Sequence, residues 1–197
     1  SKQDIKKLRI AFADNYFQRL PKDAMEWTVL EKYRALGVEL VPVQFPDSLY
    51  SFNMVSLVLN AESAAAFDEL TRDNRDDLIE RQDKNFWPNS FRTARLIPAV
   101  EYINANRYRY KLMDGLHTFM QNYDVVIVPT YMGRQLSITN LTGHPAVVMP
   151  MGFNQSGLPQ SITLLGNLYD EASILAAAKA FQQATDHHQK HPPKFAH

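Results

Sequence analysis

The stretch Asp124-Val125-Val126-Ile127-Val128-Pro129-Thr130 constrains the fold more than any other part of the chain. Its β-branched run packs well on a pleated surface, and Pro129, which cannot donate to a sheet ladder, stops it. A strand with no polar position on either face has to be covered on both sides, which predicts a central, buried strand. Upstream, Leu8 to Ala13 reads as a short strand and Asp23 to Leu36 as an amphipathic helix, with Met25, Val29, Leu30, Tyr33 and Leu36 at helical spacing and Gly37 as its left-handed stop. Val38 to Val43 follows as a second strand. A strand, a helix and a strand in succession favour a parallel pair with a right-handed crossover, so the fold class is α/β.

The remaining elements follow from the same signals. Phe52 to Leu70 predicts a helix, Thr71 to Arg81 an exposed charged run, and Trp87-Pro88-Asn89-Ser90 a turn. Pro98 opens a helix that continues to Gln121, about 36 Å long, with an apolar stripe through Tyr102, Ala105, Tyr108 or Arg109, Leu112, Leu116 and Phe119. Ala146 to Met149 and Ser161 to Leu165 are short strands, and the alanine-rich Glu171 to Thr185 is a closing helix. Together these give one α/β domain or fragment over 1–186 and a surface tail over 187–197 that carries His187, His188 and His191.

Charge and composition exclude several classes of partner. Lys plus Arg and Asp plus Glu number 21 each, so no net field draws the chain to nucleic acid or anionic lipid. The interleaved Arg107-Tyr108-Arg109-Tyr110-Lys111 sits on a predicted helix, where its side chains diverge, and a nucleic-acid partner is not expected. No apolar run approaches the roughly 18 to 20 residues that cross a bilayer, so no membrane span is expected. Without cysteine there is no disulfide, thiolate metal site or cysteine nucleophile. His187 and His191 are one helical turn apart, but Pro192 ends any helix there and a solvated tail is the expectation over a zinc site. No phosphate-binding or dinucleotide loop is present, and no cofactor is expected. The chain opens at Ser1-Lys2-Gln3-Asp4 without a methionine, so a segment upstream is expected, and a cytoplasmic parent protein is the default.

From Val125 to Tyr169 there is no Asp or Glu, and Arg134 is the one Lys or Arg. Thr130, Tyr131, Ser137, Thr139, Asn140, Thr142 and His144 lie among apolar residues there, the composition of a pocket lining, although buried strands and their turns are also poor in charge. In α/β sheets ligands bind at the carboxyl ends of strands, so Thr130, Tyr131 and Met132 are candidate pocket-wall residues. Asn140 is a natural loop organiser, and Gly143 ahead of His144-Pro145 lets a backbone or ligand approach closely.

The order Asp124-Val-Val-Ile-Val-Pro-Thr130, Asn140-Leu-Thr-Gly-His-Pro-Ala-Val-Val-Met-Pro-Met-Gly-Phe153, Gly157-Leu-Pro159, Leu165-Gly166 and Asp170-Glu171 resembles the C-terminal half of the amidase-signature family. The likeness extends more weakly back through Ala61-Glu62 and Pro98 to Arg107. It implies a mixed sheet flanked by helices, and a parent enzyme that hydrolyses amides with a serine nucleophile, a second serine and a lysine base. The serines belong to a Gly- and Ser-rich segment, with the lysine farther upstream, and that segment has no counterpart here: the seven glycines, at 37, 115, 133, 143, 152, 157 and 166, are never adjacent, and there is no Ser-Ser pair. No catalytic residue is therefore assigned, and the candidate substrate-binding residues are Thr130, Tyr131, Met132, Asn140, Thr142 and Gly143.

The expected function is that of scaffold and pocket wall, inactive alone, with the N-terminal half of the parent amidase and a small-molecule amide substrate as partners. Gly157-Leu-Pro-Gln-Ser-Ile-Thr163 departs from the family's usual Gly-Leu-Pro-Val-Gly-Leu-Gln, and no acid lies near the Asn140 loop, which favours a general amidase over a glutamine-using amidotransferase. The alternative is a noncatalytic binding or oligomerisation module derived from an amidase. Either leaves apolar surface uncovered, so the isolated chain is expected to self-associate.

Overall fold

The computed structural model describes residues 4–192. In chain order the elements are β1 (Ile10–Ala13), α1 (Asp14–Phe17), α2 (Met25–Ala35), β2 (Leu40–Val43), α3 (Phe52–Ala66), α4 (Asp68–Arg72), α5 (Trp87–Ala94), α6 (Ala99–Met120), β3 (Val125–Pro129), α7 (Gln135–Thr142), β4 (Ala146–Phe153), β5 (Pro159–Gly166) and α8 (Glu171–Gln183). They form two compact units, one of Ser1–Asp47 and Gly115–His197, the other of Ser48–Asp114. His187–Gln189 form a short 3-10 turn at the start of the expected tail, and its last residues, 193–197, lie outside the described residues.

The first unit is built on a five-stranded sheet of order β2-β1-β3-β5-β4. β1 runs parallel to both β2 and β3, whereas β5 is antiparallel to β3 and β4, so the sheet is mixed. β3 is central, and all five of its residues are buried. Because alternate residues of a strand share a face, Ile10, Phe12, Val125, Ile127, Leu164, Ile162, Met149 and Met151 line one side of the sheet. They join Val29, Leu30 and Tyr33 of α2 and Ile174, Ala177 and Phe181 of α8 in one buried cluster. The alanines of α8 allow close approach, and the Tyr33 hydroxyl donates to the Ala177 carbonyl at 3.0 Å. α2 stops where the sequence places its stop: Gly37 has φ 81°, its N–H bonds the Arg34 carbonyl, and Val38 N–H reaches back to Tyr33, a Schellman pair.

The second unit is helical. The helix expected over 52–70 is broken at Phe67, whose φ and ψ of −108° and 23° end α3 before α4 starts. Phe67 stacks on Phe91 of α5 at 5.0 Å, and Phe91 on Trp87 at 5.6 Å. The turn expected at Trp87–Ser90 is instead the first turn of α5, because a proline there forfeits an N–H that has no helical partner anyway. In the charged run 71–81, Asp76 is buried and ion-paired with Arg92 of α5. Of the long helix α6, Ala105 and Leu112 are buried in this unit and Leu116 and Met120 in the first, while Tyr102 and Phe119 of the expected stripe are half-buried. Among the described residues, no helix is long and apolar enough to cross a membrane.

Candidate functional site

Three of the candidate residues come together just beyond β3. Thr130, Tyr131 and Met132 line a pocket of about 220 Å³ with Leu20 and Glu26 from the start of the chain, Pro129, and Pro159, Gln160 and Ser161 from β5. Thr130 fastens this end of the sheet: its hydroxyl donates to the Ser161 carbonyl at 2.9 Å and accepts from Ser161 Oγ at 3.2 Å and Thr163 Oγ1 at 3.0 Å. A hydroxyl has one proton and two lone pairs, so Thr130 has nothing left for a ligand and acts as a wall and an anchor. Its carbonyl is held as well, by the Nε2 of the buried Gln135 at 2.8 Å. Tyr131 is 90% exposed at the rim, and Met132 is half-buried.

The turn after Met132 is held from beneath. The fully buried Tyr16 donates its hydroxyl to Asp47 Oδ1, while the Arg134 N–H donates to that same carboxylate at 3.0 Å and to the Tyr16 oxygen at 3.2 Å. Burial, and then the bond to Asp47, push the Tyr16 phenol well above its ordinary range. Gly133 is required at this point on two counts. Its φ is 62°, and a Cβ there would overlap the Tyr16 ring.

Asn140, Thr142 and Gly143 do not reach this pocket. The sequence predicts a loop around Asn140, but the segment forms α7, with Asn140 exposed in its last turn. Gly143 is the helix terminator, with φ 78° and its N–H on the Thr139 carbonyl at 2.8 Å. Thr142 is buried; its hydroxyl donates to the Thr139 carbonyl at 3.4 Å and lies 2.9 Å from His144 Nδ1. The other ring nitrogen, Nε2, is buried and finds no partner among the described residues. Burial, then the proximity of His117, lower the His144 pKa to about 4.

The 48–114 unit has a larger cavity of its own, about 610 Å³, that sequence reading does not anticipate. Ala61, Ala64 and Ala65 of α3 with Ala94 and Ala99 make a floor of small side chains, and Glu62, Asp68, Arg95 and Tyr102 stand around it. The polar groups are paired: Tyr102 donates to Glu62 at 3.1 Å, Arg109 lies 3.7 Å from the same carboxylate, and Asp68 holds both Arg72 and Arg95. The one available signal is the alanine spacing at 61, 64 and 65, which places these residues on neighbouring positions of a helix surface.

No family model matches the chain. Among curated proteins, a glutamyl-tRNA(Gln) amidotransferase chain from Oceanobacillus iheyensis is 26% identical to it over 97% of this chain and 48% of its own length. Among solved structures, native peptide amidase from Stenotrophomonas maltophilia superposes with a TM-score of 0.75 at 18% identity, over 98% of this chain and 45% of that one. A bacterial aryl acylamidase belonging to the amidase-signature enzymes gives a TM-score of 0.71 at 15% identity, over 95% of this chain and 46% of that one. The chain thus spans about half the length of the curated relatives it matches.

Proposed function

We propose that this chain, a relative of the C-terminal half of the amidase-signature enzymes, is the scaffold and pocket-wall portion of an amide hydrolase whose serine nucleophile and lysine base come from the N-terminal half of the parent protein. The observation that carries this reading is the alignment of nearly the whole chain with about half of each relative. The part it plays is mechanical. Thr130 ties β3 to β5, Gln135 and the Tyr16–Asp47 pair hold the following turn, and Tyr131 and Met132 are thereby presented at a fixed wall. No lysine lines this pocket, and the hydroxyl of Ser161, the one serine there, donates its proton to Thr130 within the sheet, so the wall supplies no serine–lysine pair. Small amides are the substrate class, and the chain alone has no hydrolytic turnover.

The test is an amide-hydrolysis assay on simple acyl anilides and primary amides, run on the 197-residue chain and on its full-length parent protein. The expected result is background for the chain alone and turnover for the parent. Turnover by the isolated chain would overturn the division of labour, and an inert parent would overturn the activity.

A further inference from the structure

We propose that α3 is a contact between two copies of this chain, packing antiparallel on the partner's α3 across a two-fold axis that passes Leu59. This goes beyond the amide-hydrolase reading and does not depend on it.

α3 is apolar out of proportion to its burial. Glu62 is the one charged residue among its fifteen, and a helix that is apolar all round belongs in an interior. Yet only Val58 and Ala64 are buried. Phe52, Val55, Leu59 and Ala66 recur at the three-, four- and seven-residue spacing of one helical face. Phe52 is 66% and Leu59 52% exposed; Ala66 is exposed and Val55 half-buried. Glu62 falls between Leu59 and Ala66, but Tyr102 donates to it at 3.1 Å and Arg109 lies 3.7 Å away, so its charge is already engaged.

The stripe is its own complement. A half-turn about Leu59 sets Leu59 on the partner's Leu59 and the large Phe52 over the partner's Ala66, the reciprocal pattern of a two-fold interface. Large against small lets two helices approach with their side chains interdigitated. The ends match as well. Ser51 makes no side-chain cap, and the first turn of α3 carries no acid, so the positive end of the helix dipole is not offset there. The same half-turn brings the partner's exposed Glu69, one turn beyond Ala66, beside that end. A parallel pairing would instead set Phe52 on the partner's Phe52 and the two uncapped ends side by side. At fifteen residues α3 is about 22 Å long. A contact of that length is at the small end of specific interfaces, so the association is reversible, with a dissociation constant on the order of 10 to 100 micromolar.

The experiment is sedimentation equilibrium of the 197-residue chain from about 5 to 300 micromolar, a range that brackets the expected constant. Leu59→Lys sets two ammonium groups on the axis and should weaken association at least about tenfold, and Phe52→Ala and Ala66→Phe about fivefold each. The double variant Phe52→Ala with Ala66→Phe exchanges large and small and should recover most of the loss, a rescue that depends on the antiparallel register. The chain has no cysteine, so Leu59→Cys should give a disulfide-linked dimer on mild oxidation. All three positions are exposed, and circular dichroism checks that each variant is folded. A chain that stays monomeric, a dimer that Leu59→Lys leaves intact, or a double variant weaker than both single ones would overturn the α3 pairing. So would a Leu59→Cys that fails to cross-link in the chain but is shielded from thiol reagents in the full-length parent, which would give this face to the N-terminal half. None of these outcomes bears on the hydrolysis assay, so the two readings stand or fall separately.

Discussion

At the scale of single residues, the pocket depends on groups that never reach it. Tyr16→Phe removes the donor to Asp47 and the acceptor for Arg134 N–H, but leaves Asp47 and Arg134 N–H bonded to each other at 3.0 Å, so its cost should stay near 1 to 2 kcal/mol, about one buried hydrogen bond. Gly133→Ala is harsher. It combines a left-handed backbone with a Cβ that overlaps the Tyr16 ring, and should cost about 3 kcal/mol or more. Urea unfolding of the two variants checks the order, and a Gly133→Ala milder than Tyr16→Phe would contradict this packing. His144 gives a pH prediction whose sign is fixed by its depressed folded-state pKa. In the unfolded chain the imidazole takes a proton near its ordinary 6.5, while in the folded chain it resists until about 4. Its contribution is therefore fully present above about 6.5 and is lost as the pH falls toward 4, by up to about 3 kcal/mol. His144→Asn should flatten that limb of the stability profile; an unchanged limb would show that other groups govern it.

At the scale of elements, the legible parts are those whose signal is local. β3 announces itself through an apolar run closed by proline, and α2 through its period and Gly37. α7 does not, because Gln-Leu-Ser-Ile-Thr-Asn-Leu-Thr is made largely of residues that are indifferent or poor helix formers. Its helix comes from tertiary terms, with Ile138 fully buried and the Thr139 hydroxyl bonded back to the Gln135 carbonyl at 2.9 Å. α5 is hidden for a different reason: tryptophan and proline side by side suggest a turn, although proline suits a helix's first turn equally well. α5 also carries a partner for a buried charge. Arg92 stands against Asp76, whose side chain is 3% exposed, and so pins the turn over Arg75–Leu78 to α5. Arg92→Ala should cost about 3 kcal/mol or more, because it strands a carboxylate away from water, whereas Arg75→Ala, which loses only an exposed pair at 3.7 Å, should cost less than about 1 kcal/mol. Equal costs in thermal unfolding would mean that Asp76 is reached by water.

At the scale of the whole molecule, the site is less legible than the fold because it joins distant parts of the chain. Thr130, Tyr131 and Met132 can be proposed from the end of a strand, but Glu26 arrives from the start of α2 and Gln160 from β5, and no local pattern ties either to the pocket. The same long-range closure shapes stability. Ile10 pairs with Val125 in parallel register, and Arg9 N–H and Nη2 bind the Asp124 carboxylate at 2.7 Å each, so β1 and β3 close a loop that contains all of the 48–114 unit. The sheet unit has a continuous core of large side chains, with Ile10, Ile127, Ile162 and Leu164 all at 0% exposure. In the 48–114 unit the buried apolar residues besides Pro88 are Val58, Ala64, Phe91, Ala94, Ala105 and Leu112, half of these six alanines. Burying an alanine removes far less apolar area from water than burying an isoleucine, so the helical unit should open at lower free energy than the sheet. Native-state hydrogen exchange checks this. Amides of Val126 to Val128 should exchange only through global unfolding, and those of α4 and α5 roughly a hundredfold faster, through an opening that leaves the sheet protected. If α5 proves as protected as β3, the two units unfold together and the thin alanine core is not a separate weak point.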